Sequence, residues 1–145
     1  MFELVYQSNA IPDLTTENIE RILEVAQNFN SKNNISGCLF YHDHKFLQLL
    51  EGDEEVVRNL FNKICQNKFH SKVELLTEGF KEERTFEKWK MAYVDLSSDH
   101  KHDKERELFV LNFLAYSELI EKPSPAIKEF WKKVRDFLEK RPMGQ

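Results

Sequence analysis

The sequence has little cysteine. Only Cys38 and Cys65 occur among 145 residues, and they do not form a paired-cysteine spacing. Small folds that depend on disulfides carry several closely spaced cysteines, so this scarcity argues against a disulfide framework and predicts two buried, reduced thiols. Neither cysteine is a strong candidate for a catalytic nucleophile.

The chain also lacks an excess of basic residues and any long apolar run. Its 21 Lys and Arg are outnumbered by 25 Asp and Glu, which gives a formal net charge of -4. A nucleic-acid binder needs a basic surface, so we expect no nucleic-acid partner. No stretch approaches membrane-spanning length, and Met1 leads straight into a strand-like run, so we expect a cytoplasmic protein with no membrane contact. No internal repeat or low-complexity segment occurs.

The residues that are present suffice for one compact domain, since 41% of them are hydrophobic and 12% are aromatic. Hydrophobic periodicity predicts the order strand, helix, strand, strand, helix, strand, strand. This order predicts a ferredoxin-like α+β fold, in which two helices cover one face of a mixed β-sheet. The predicted strands are Phe2–Tyr6, Ile35–Tyr41, Phe46–Leu50, 72–81 and 89–95, and the predicted helices follow caps at Thr15 and Asp53.

The opposite face of this sheet is apolar as well. Strand alternation points Val5, Leu47 and Leu49 away from the two helices, so another element must cover them. The tail provides helical patterns at Lys104–Ile120 and after Ser124, beyond a polar linker at 96–103. We therefore expect two C-terminal helices on this second face.

Three polar side chains interrupt apolar rows that should face the core. Tyr6 shares a strand face with Leu4, Asn30 falls within the apolar stripe of the first helix, and Gln48 lies between Phe46 and Leu50. An unpartnered buried amide costs about 1 to 3 kcal/mol, so these groups need hydrogen-bond partners. A polar, planar ligand would satisfy them, and so would a small core network with a trapped water.

Two histidine pairs are the only other arrangement that suggests a ligand. His42 and His44 lie on the tip of a predicted hairpin, and His100 and His102 lie in the charged linker. A metal site needs three or four converging ligands, and no third ligand is evident for either pair. We expect solvated loop histidines and no metal.

Four segments carry a resemblance to a known family. They are Leu4–Ser8 (LVYQS), Ile35–Tyr41 (ISGCLFY), Phe46–Gly52 (FLQLLEG) and Arg84–Met91 (RTFEKWKM). In this order and spacing they resemble the BLUF domains, which sense blue light using FAD, and the resemblance covers about residues 1 to 95. It implies a BLUF photosensor domain at 1–95, followed by a linker and C-terminal helical pair at 96–145 that forms an output or cap.

The resemblance implies specific roles for the three polar residues. Tyr6 corresponds to the redox-active tyrosine, Gln48 to the amide beside the flavin ring, and Asn30 to an anchor for the ring carbonyl region. An excited flavin is a strong oxidant, and the family uses Tyr and Gln to rearrange the hydrogen bonds of the flavin without consuming a substrate. The chain is accordingly expected to be a sensor and not an enzyme.

Further flavin contacts are implied by matching positions. Ile22, Phe46 and Ile64 correspond to walls of the ring, with Met91 also at the cofactor, while three residues correspond to positions nearer the ribityl and phosphate end: Lys63, Asn67 and His70. The family commonly has Asp where Asn67 stands and Arg where Phe69 stands. This departure leaves both FAD and FMN open as the bound flavin.

The resemblance implies that signal output runs through Trp89 and Met91, which share a face of the last predicted strand. In the family, the residues at these two positions exchange places beside the glutamine when the switch occurs. That strand leads into the C-terminal helices. Without an effector domain after the sensor, we expect a separate downstream signalling protein as partner, together with a homo-oligomer of this chain.

Two other function classes compete with a photoreceptor. An acyl-phosphate hydrolase on a similar scaffold would need an anion-binding loop with an arginine, and the segment Asn9–Thr16 contains none. A flavin-free interaction module with the same fold is the more serious alternative, although the joint presence of Tyr6, Asn30 and Gln48 argues against it.

Overall fold

The computed structural model describes residues 1–86, 92–95 and 124–139. The strands are β1 (Phe2–Ala10), β2 (Ser36–His42), β3 (Lys45–Gly52), β4 (His70–Phe80) and β5 (Ala92–Asp95). The helices are α1 (Thr16–Asn33), α2 (Glu54–Cys65) and α3 (Pro125–Glu139). The predicted order of strands and helices is confirmed.

The strands form one five-stranded sheet in the order β4-β1-β3-β2-β5. The first four strands in this order pair antiparallel, and β5 pairs parallel to β2 at the edge. The ferredoxin-like α+β fold with a mixed sheet is therefore confirmed. β1 is longer than its apolar run predicted, because its polar end continues to pair with both neighbours as far as Asn9.

Both predicted caps of the sheet-covering helices are present. Thr15 and Asn18 form a capping box, in which each side chain accepts from the backbone N–H of the other at 3.0 Å. α1 ends at Asn34, which has the left-handed φ of 55°. The Asp53 carboxylate accepts from the N–H of Val56 at 3.4 Å and begins α2.

The hairpin between β2 and β3 fixes the register of the central strands. Its two-residue turn consists of Asp43 and His44, whose φ values of 48° and 61° suit the type I′ geometry. Gly37 permits the close approach of the two strands, since a Cβ there would lie 2.0 Å from the carbonyl oxygen of Leu49. The resulting register pairs Gln48 with Leu39 on one side and with Tyr6 on the other.

Each face of the sheet carries its own hydrophobic core. The face under α1 and α2, called here the helix-pair face, buries Phe2, Leu4, Tyr6, Ala10, Ile35, Leu39, Tyr41, Phe46, Leu50 and Val57. The face under α3, called the α3 face, buries Val5, Cys38, Phe40, Leu47, Leu49, Phe86, Ala126, Ile127, Phe130, Trp131 and Val134. Alternation along β1 and β3 thus divides the side chains as the sequence predicts.

The second predicted C-terminal helix is confirmed. Its cap is Ser124, whose Oγ accepts from the N–H of Ile127 at 3.2 Å, and Pro125 occupies the first turn. The first predicted C-terminal helix, at 104–120, lies outside the described residues, as do the linker at 96–103, Trp89 and Met91.

The two cysteines differ in exposure. Cys38 is buried on the α3 face as predicted, but Cys65 is exposed, so the prediction of a second buried thiol is wrong. Cys65 follows Ile64 at the end of α2, and a step of one residue turns a side chain away from the apolar stripe.

Within the described ranges, no helix combines the length and the apolar character that a membrane span requires. No group of three or more His, Cys, Asp or Glu side chains is arranged to hold a metal ion in that part of the chain.

Candidate functional site at Tyr6 and Gln48

A buried hydrogen bond between Tyr6 and Gln48 forms the centre of the site. The two residues are directly opposite each other on β1 and β3. Their side chains point toward the helix-pair face and are 1% and 5% exposed. The Tyr6 hydroxyl donates to Oε1 of Gln48. The predicted burial of these two polar groups in an apolar row is confirmed.

The environment keeps the Tyr6 phenol protonated. Burial raises the pKa of Tyr6 well above its ordinary value, with a smaller electrostatic contribution from the nearby Cys65. The phenol is therefore a donor at neutral pH. Because Gln48 uses its carbonyl oxygen on Tyr6, its Nε2 group donates to atoms other than the phenol.

Aromatic rings from α2 and from the sheet pack around Tyr6. The centroid of the Tyr6 ring lies 5.4 Å from that of Phe61 and 6.3 Å from that of His70. His70 also packs against Phe46, with ring centroids 4.8 Å apart. Such edge and tilted contacts fix ring orientations. Tyr6, Phe46 and His70 are thereby brought together from three different strands.

His70 is held neutral by its surroundings. Burial lowers the pKa of its imidazole to about 4. Its Nδ1 lies 2.8 Å from Oγ of Ser8, which is itself buried. Ser8 follows Tyr6 by one strand repeat and therefore lies on the same face. A neutral imidazole fixed by a serine thus forms one edge of the site.

The pairing of β4 is irregular beside Tyr6. The register of β1 with β4 shifts between Val5 and Tyr6 and again between Gln7 and Asn9. Lys72, within β4, has the positive φ of 50°. Bulges bend a strand and re-aim its side chains, and they are common beside functional sites. Here they flank the strand position that carries the phenol.

The helices above the pair bury their apolar stripes incompletely. The stripe of α1 is only half-buried in this structure: Ile19, Ile22, Leu23, Ala26 and Phe29. The facing residues of α2, Leu60, Phe61 and Ile64, are half-buried too. Asn30 at the end of the α1 stripe is 1% exposed, which confirms its predicted burial. These partly buried apolar side chains, together with buried polar groups below them, suit a planar ligand that carries hydrogen-bonding atoms on its rim.

The remaining predicted site residues lie on and after α2. Lys63 is exposed, and its ammonium lies 5.0 Å from the ring centroid of Phe29 on α1. Asn67 is exposed, and its Oδ1 accepts from the N–H of Phe69 at 2.8 Å, which shapes the loop into β4. Lys63 thus lies beside the α1 stripe near the end of α2, and Asn67 lies in the loop that follows.

Sequence reasoning missed two residues that contact the site. Phe61 lies on the apolar side of α2, and its ring packs on Tyr6. Ser8 lies two residues after Tyr6 on β1, so strand alternation assigns it to the same face. Its bond to His70 joins residues far apart in the sequence, which no local pattern predicts.

Comparison with known proteins identifies the family and agrees with the fold. The sequence profile of the family described as "BLUF: Sensors of blue-light using FAD" matches residues 1–92. This chain belongs to the BLUF family. The match confirms the resemblance found in the sequence and gives FAD, or the related FMN, as the chromophore type that such domains use.

A curated relative is the blue light- and temperature-regulated antirepressor BluF of Escherichia coli (strain K12). The two are 30% identical over 106 residues, which are 73% of this chain and 26% of that protein. The chain thus spans about a quarter of the length of this relative.

Among solved structures, the ground state of BlsA is 33% identical with a TM-score of 0.64, and the match covers 77% of this chain and 72% of BlsA. A bacterial light-regulated adenylyl cyclase is 30% identical with a TM-score of 0.64, over 81% of this chain and 34% of the cyclase. The dark-state structure of BlrB, at 19% identity and a TM-score of 0.67, agrees in fold.

The residues at the site fit a flavin. Its ring system has two apolar faces and a rim of carbonyl and N–H groups. The partly buried apolar side chains of α1 and α2 suit the faces, and the buried amides of Gln48 and Asn30 suit the rim. The partial burial of these helix side chains is the observation that carries this fit.

Proposed function

We propose that this protein is a blue-light photoreceptor that binds FAD non-covalently at the Tyr6–Gln48 site. The observation that carries the proposal is the buried Tyr6–Gln48 hydrogen bond beneath two half-buried apolar stripes. A tyrosine can give an electron to an excited oxidant and its proton to the amide that it contacts, and the partly buried apolar side chains of α1 and α2 offer a surface on which a planar chromophore can pack.

Ten residues would hold the cofactor in this proposal. Gln48 and Asn30 offer amide groups to the polar rim of the flavin ring, and Ile22, Phe46 and Ile64 pack on its faces. Lys63, Asn67 and His70 lie nearer the ribityl and phosphate end of the cofactor. Tyr6 and Met91 complete the set of cofactor contacts. FMN shares the ring and ribityl chain with FAD and would use most of the same groups.

The chemistry on the protein side follows from the state of Tyr6. The bound flavin supplies a strong oxidant when it absorbs blue light, as flavins do in general. Tyr6 is neutral in the dark because burial raises its pKa, so the loss of an electron from its ring leaves a strongly acidic O–H group. The hydrogen-bonded acceptor for that proton is Oε1 of Gln48.

Gln48 converts this transfer into a lasting change of hydrogen bonds. A carboxamide has an acceptor at one end, the carbonyl oxygen, and two N–H donors at the other. A rotated or tautomerised side chain therefore presents a different pattern of donors and acceptors to each neighbour. The electron and the proton both return to Tyr6 as the pair relaxes, so there is no net oxidation and no substrate is consumed. The protein therefore acts as a switch and not as an enzyme.

The output in this proposal passes from Gln48 to Trp89 and Met91 and then to the C-terminal helices. Residues 1–95 form the sensor, and 96–145 form the linker and the helical output or cap. Support comes from β3, which carries Gln48 toward one face while Leu47 and Leu49 beside it pack on the α3 face. A separate signalling protein receives the signal, and the chain works in the cytoplasm as a homo-oligomer without nucleic acid.

The proposal is tested by an absorption spectrum of the FAD-loaded protein in the dark and after blue illumination. We expect oxidised flavin bands that shift slightly to longer wavelength and return in darkness. Tyr6→Phe and Gln48→Ala should abolish the shift, while Tyr41→Phe, which changes another buried tyrosine of the same core, should retain it.

A colourless protein that also fails to take up added FAD would contradict the proposal. In that case the flavin-free, ferredoxin-like interaction module would become the better account of this chain.

A further inference from the structure

A second polar cluster lies on the α3 face, at the end of the central strands. Glu3 on β1 is directly opposite Glu51 on β3, and Glu51 is opposite Ser36 on β2. All three are at most 1% exposed. Like charges directly opposite each other in a sheet repel, so two buried glutamates in this position need a shared cation.

Lys81, which follows β4, supplies that cation. Its ammonium lies 2.7 Å from Oε1 of Glu3 and 2.6 Å from Oε1 of Glu51. It also donates to Oγ1 of Thr85 at 2.9 Å. The lysine therefore neutralises the pair of carboxylates, through a hydrogen bond to Glu51 and an ion-pair contact with Glu3.

Glu51 differs from Glu3 in its further contacts. Its carboxylate accepts from the backbone N–H of Thr85 at 2.8 Å and of Phe86 at 2.6 Å. The Ser36 hydroxyl donates to it at 2.8 Å. Hydrogen bonds to an ionised carboxylate are about twice as strong as neutral ones. One side chain of β3 thus fixes the backbone of the segment 84–86.

Arg84 attaches the same segment to the sheet from the other side. Its guanidinium donates to Oγ of Ser36 at 2.8 Å and to the carbonyl oxygen of Asn34 at 2.6 Å. A further bond of 3.2 Å reaches the carbonyl oxygen of Glu51. The segment 84–86 therefore follows any displacement of the end of β3.

Phe86 connects this segment to α3. Its side chain is buried, and its ring centroid lies 6.2 Å from that of Phe130 and 6.5 Å from that of Trp131. Aromatic contacts of this kind transmit small displacements because close-packed cores do not deform continuously. A continuous path of contacts runs from β3 through Glu51 and Phe86 to the C-terminal helix.

We propose that Glu51 is the positioning residue that couples the Gln48 strand to the segment 84–86 and to α3, so that a rearrangement at Gln48 reaches the C-terminal helix. The inference rests on the proposed photoreceptor function. It adds a route through β3 and the segment that leads toward Trp89 and Met91, and Glu51 itself touches neither the Tyr6–Gln48 pair nor the helix-pair face.

The test uses Glu51→Gln in the full-length, FAD-loaded protein, with Glu3→Gln as the matched control. Both variants remove one carboxylate from Lys81, but only the first alters the bonds to the N–H groups of Thr85 and Phe86. In the dark, hydrogen exchange at residues 84–86 should accelerate about tenfold in Glu51→Gln and remain near the wild-type rate in Glu3→Gln.

The light-dependent change in hydrogen exchange distinguishes coupling from a purely structural role, because loss of a purely structural contact would leave that change intact. Glu51→Gln should retain the flavin absorption shift and lose at least about half of the light-dependent change in exchange at 125–139, since the coupling path is weakened but the site is intact. Glu3→Gln should retain both responses. An unchanged exchange response in Glu51→Gln, or no light-dependent exchange at 125–139 in the wild type, would overturn the proposal.

Loss of a buried ionic partner can unfold a protein, so Ser36→Ala provides a second variant. It removes the hydroxyl that links Arg84 to Glu51 and should reduce the exchange response while the spectral shift persists. A full exchange response would overturn the coupling role. Failure of the wild type to show any spectral shift would instead contradict the proposed function, which keeps the two failures distinct.

Discussion

The two faces of the sheet are filled to different degrees. On the α3 face, residues from β1, β2, β3 and α3 are fully buried, and aromatic rings such as Phe40 and Phe130 pack edge to face at 5.5 Å. On the helix-pair face the sheet residues are equally buried, but the apolar stripes of α1 and α2 remain half-exposed. Polar side chains lie in the middle of this second face.

This difference separates a face built for stability from a face built for a ligand. The α3 core is complete with protein side chains alone. The α3 face buries polar groups too, but its Glu3, Lys81 and Glu51 side chains are paired with one another. The helix-pair face combines partly exposed apolar side chains on its helices with a buried Tyr–Gln hydrogen bond, which suits a ligand that is both apolar and polar.

Truncation on the α3 face should destabilise the protein most. Phe130→Ala removes a fully buried ring and should lower the free energy of unfolding by about 3 to 5 kcal/mol, measured by urea denaturation without added flavin. Ile22→Ala on the half-buried α1 stripe should cost about 1 kcal/mol under the same conditions. Equal losses from the two variants would contradict the contrast between the faces.

Acid should destabilise the helix-pair face through His70. Its folded pKa of about 4 lies below the ordinary value of 6.5, so the unfolded chain binds the proton more readily. Above pH 6.5 His70 is neutral in both the folded and the unfolded chain and costs no stability. The free energy of unfolding falls as the pH drops from 6.5 toward 4, because protonation then favours the unfolded chain.

The shift of the His70 pKa corresponds to a loss of about 3 kcal/mol at most. The measurement is the free energy of unfolding between pH 7 and pH 4. His70→Gln should lack this part of the pH dependence, whereas His44→Gln, at the exposed hairpin tip, should retain it. Identical pH profiles for wild type and His70→Gln would refute the assignment.

Asn30 should matter for flavin affinity far more than for the helix that carries it. Asn30→Ala removes a buried amide and should weaken FAD binding by about 1 to 3 kcal/mol, measured by titration of flavin fluorescence. Asn28→Ala changes the same residue type at an exposed position of α1 and should leave the affinity within about 0.5 kcal/mol of wild type. Equal affinities of the two variants would remove Asn30 from the site.

The smallest effect is expected from a change at Lys63. Lys63 is exposed, so Lys63→Gln should weaken FAD binding by no more than about 1 kcal/mol, and salt should reduce the difference. Riboflavin lacks phosphate groups and serves as the matched ligand. An equal loss for riboflavin would show that Lys63 does not act on the phosphates.

Much of this architecture could be predicted from local sequence patterns. Caps at Thr15 and Asp53 depend on a few neighbouring residues, and strand alternation alone assigned Tyr6 and Gln48 to one face. The stripe of α1 predicted the burial of Asn30 in the same way. The roles of these residues came from the family resemblance, because periodicity gives position and not chemistry.

Features that depend on distant partners could not be predicted. The bond from Ser8 to His70 and the sharing of Lys81 between Glu3 and Glu51 join segments that meet only in the folded sheet. Bulges in β4 leave no clear pattern in the sequence either. The prediction for Cys65 was wrong because the burial usual for free cysteines was given more weight than its position one residue beyond the apolar stripe of α2.

The most direct test of the difference between the two faces is hydrogen exchange of the protein in the dark, with and without saturating FAD. The account predicts added protection in α1 (Thr16–Asn33) and α2 (Glu54–Cys65), with α3 (Pro125–Glu139) nearly unchanged, because the cofactor completes only the helix-pair face. Equal protection of all three helices, or none despite bound flavin, would contradict it.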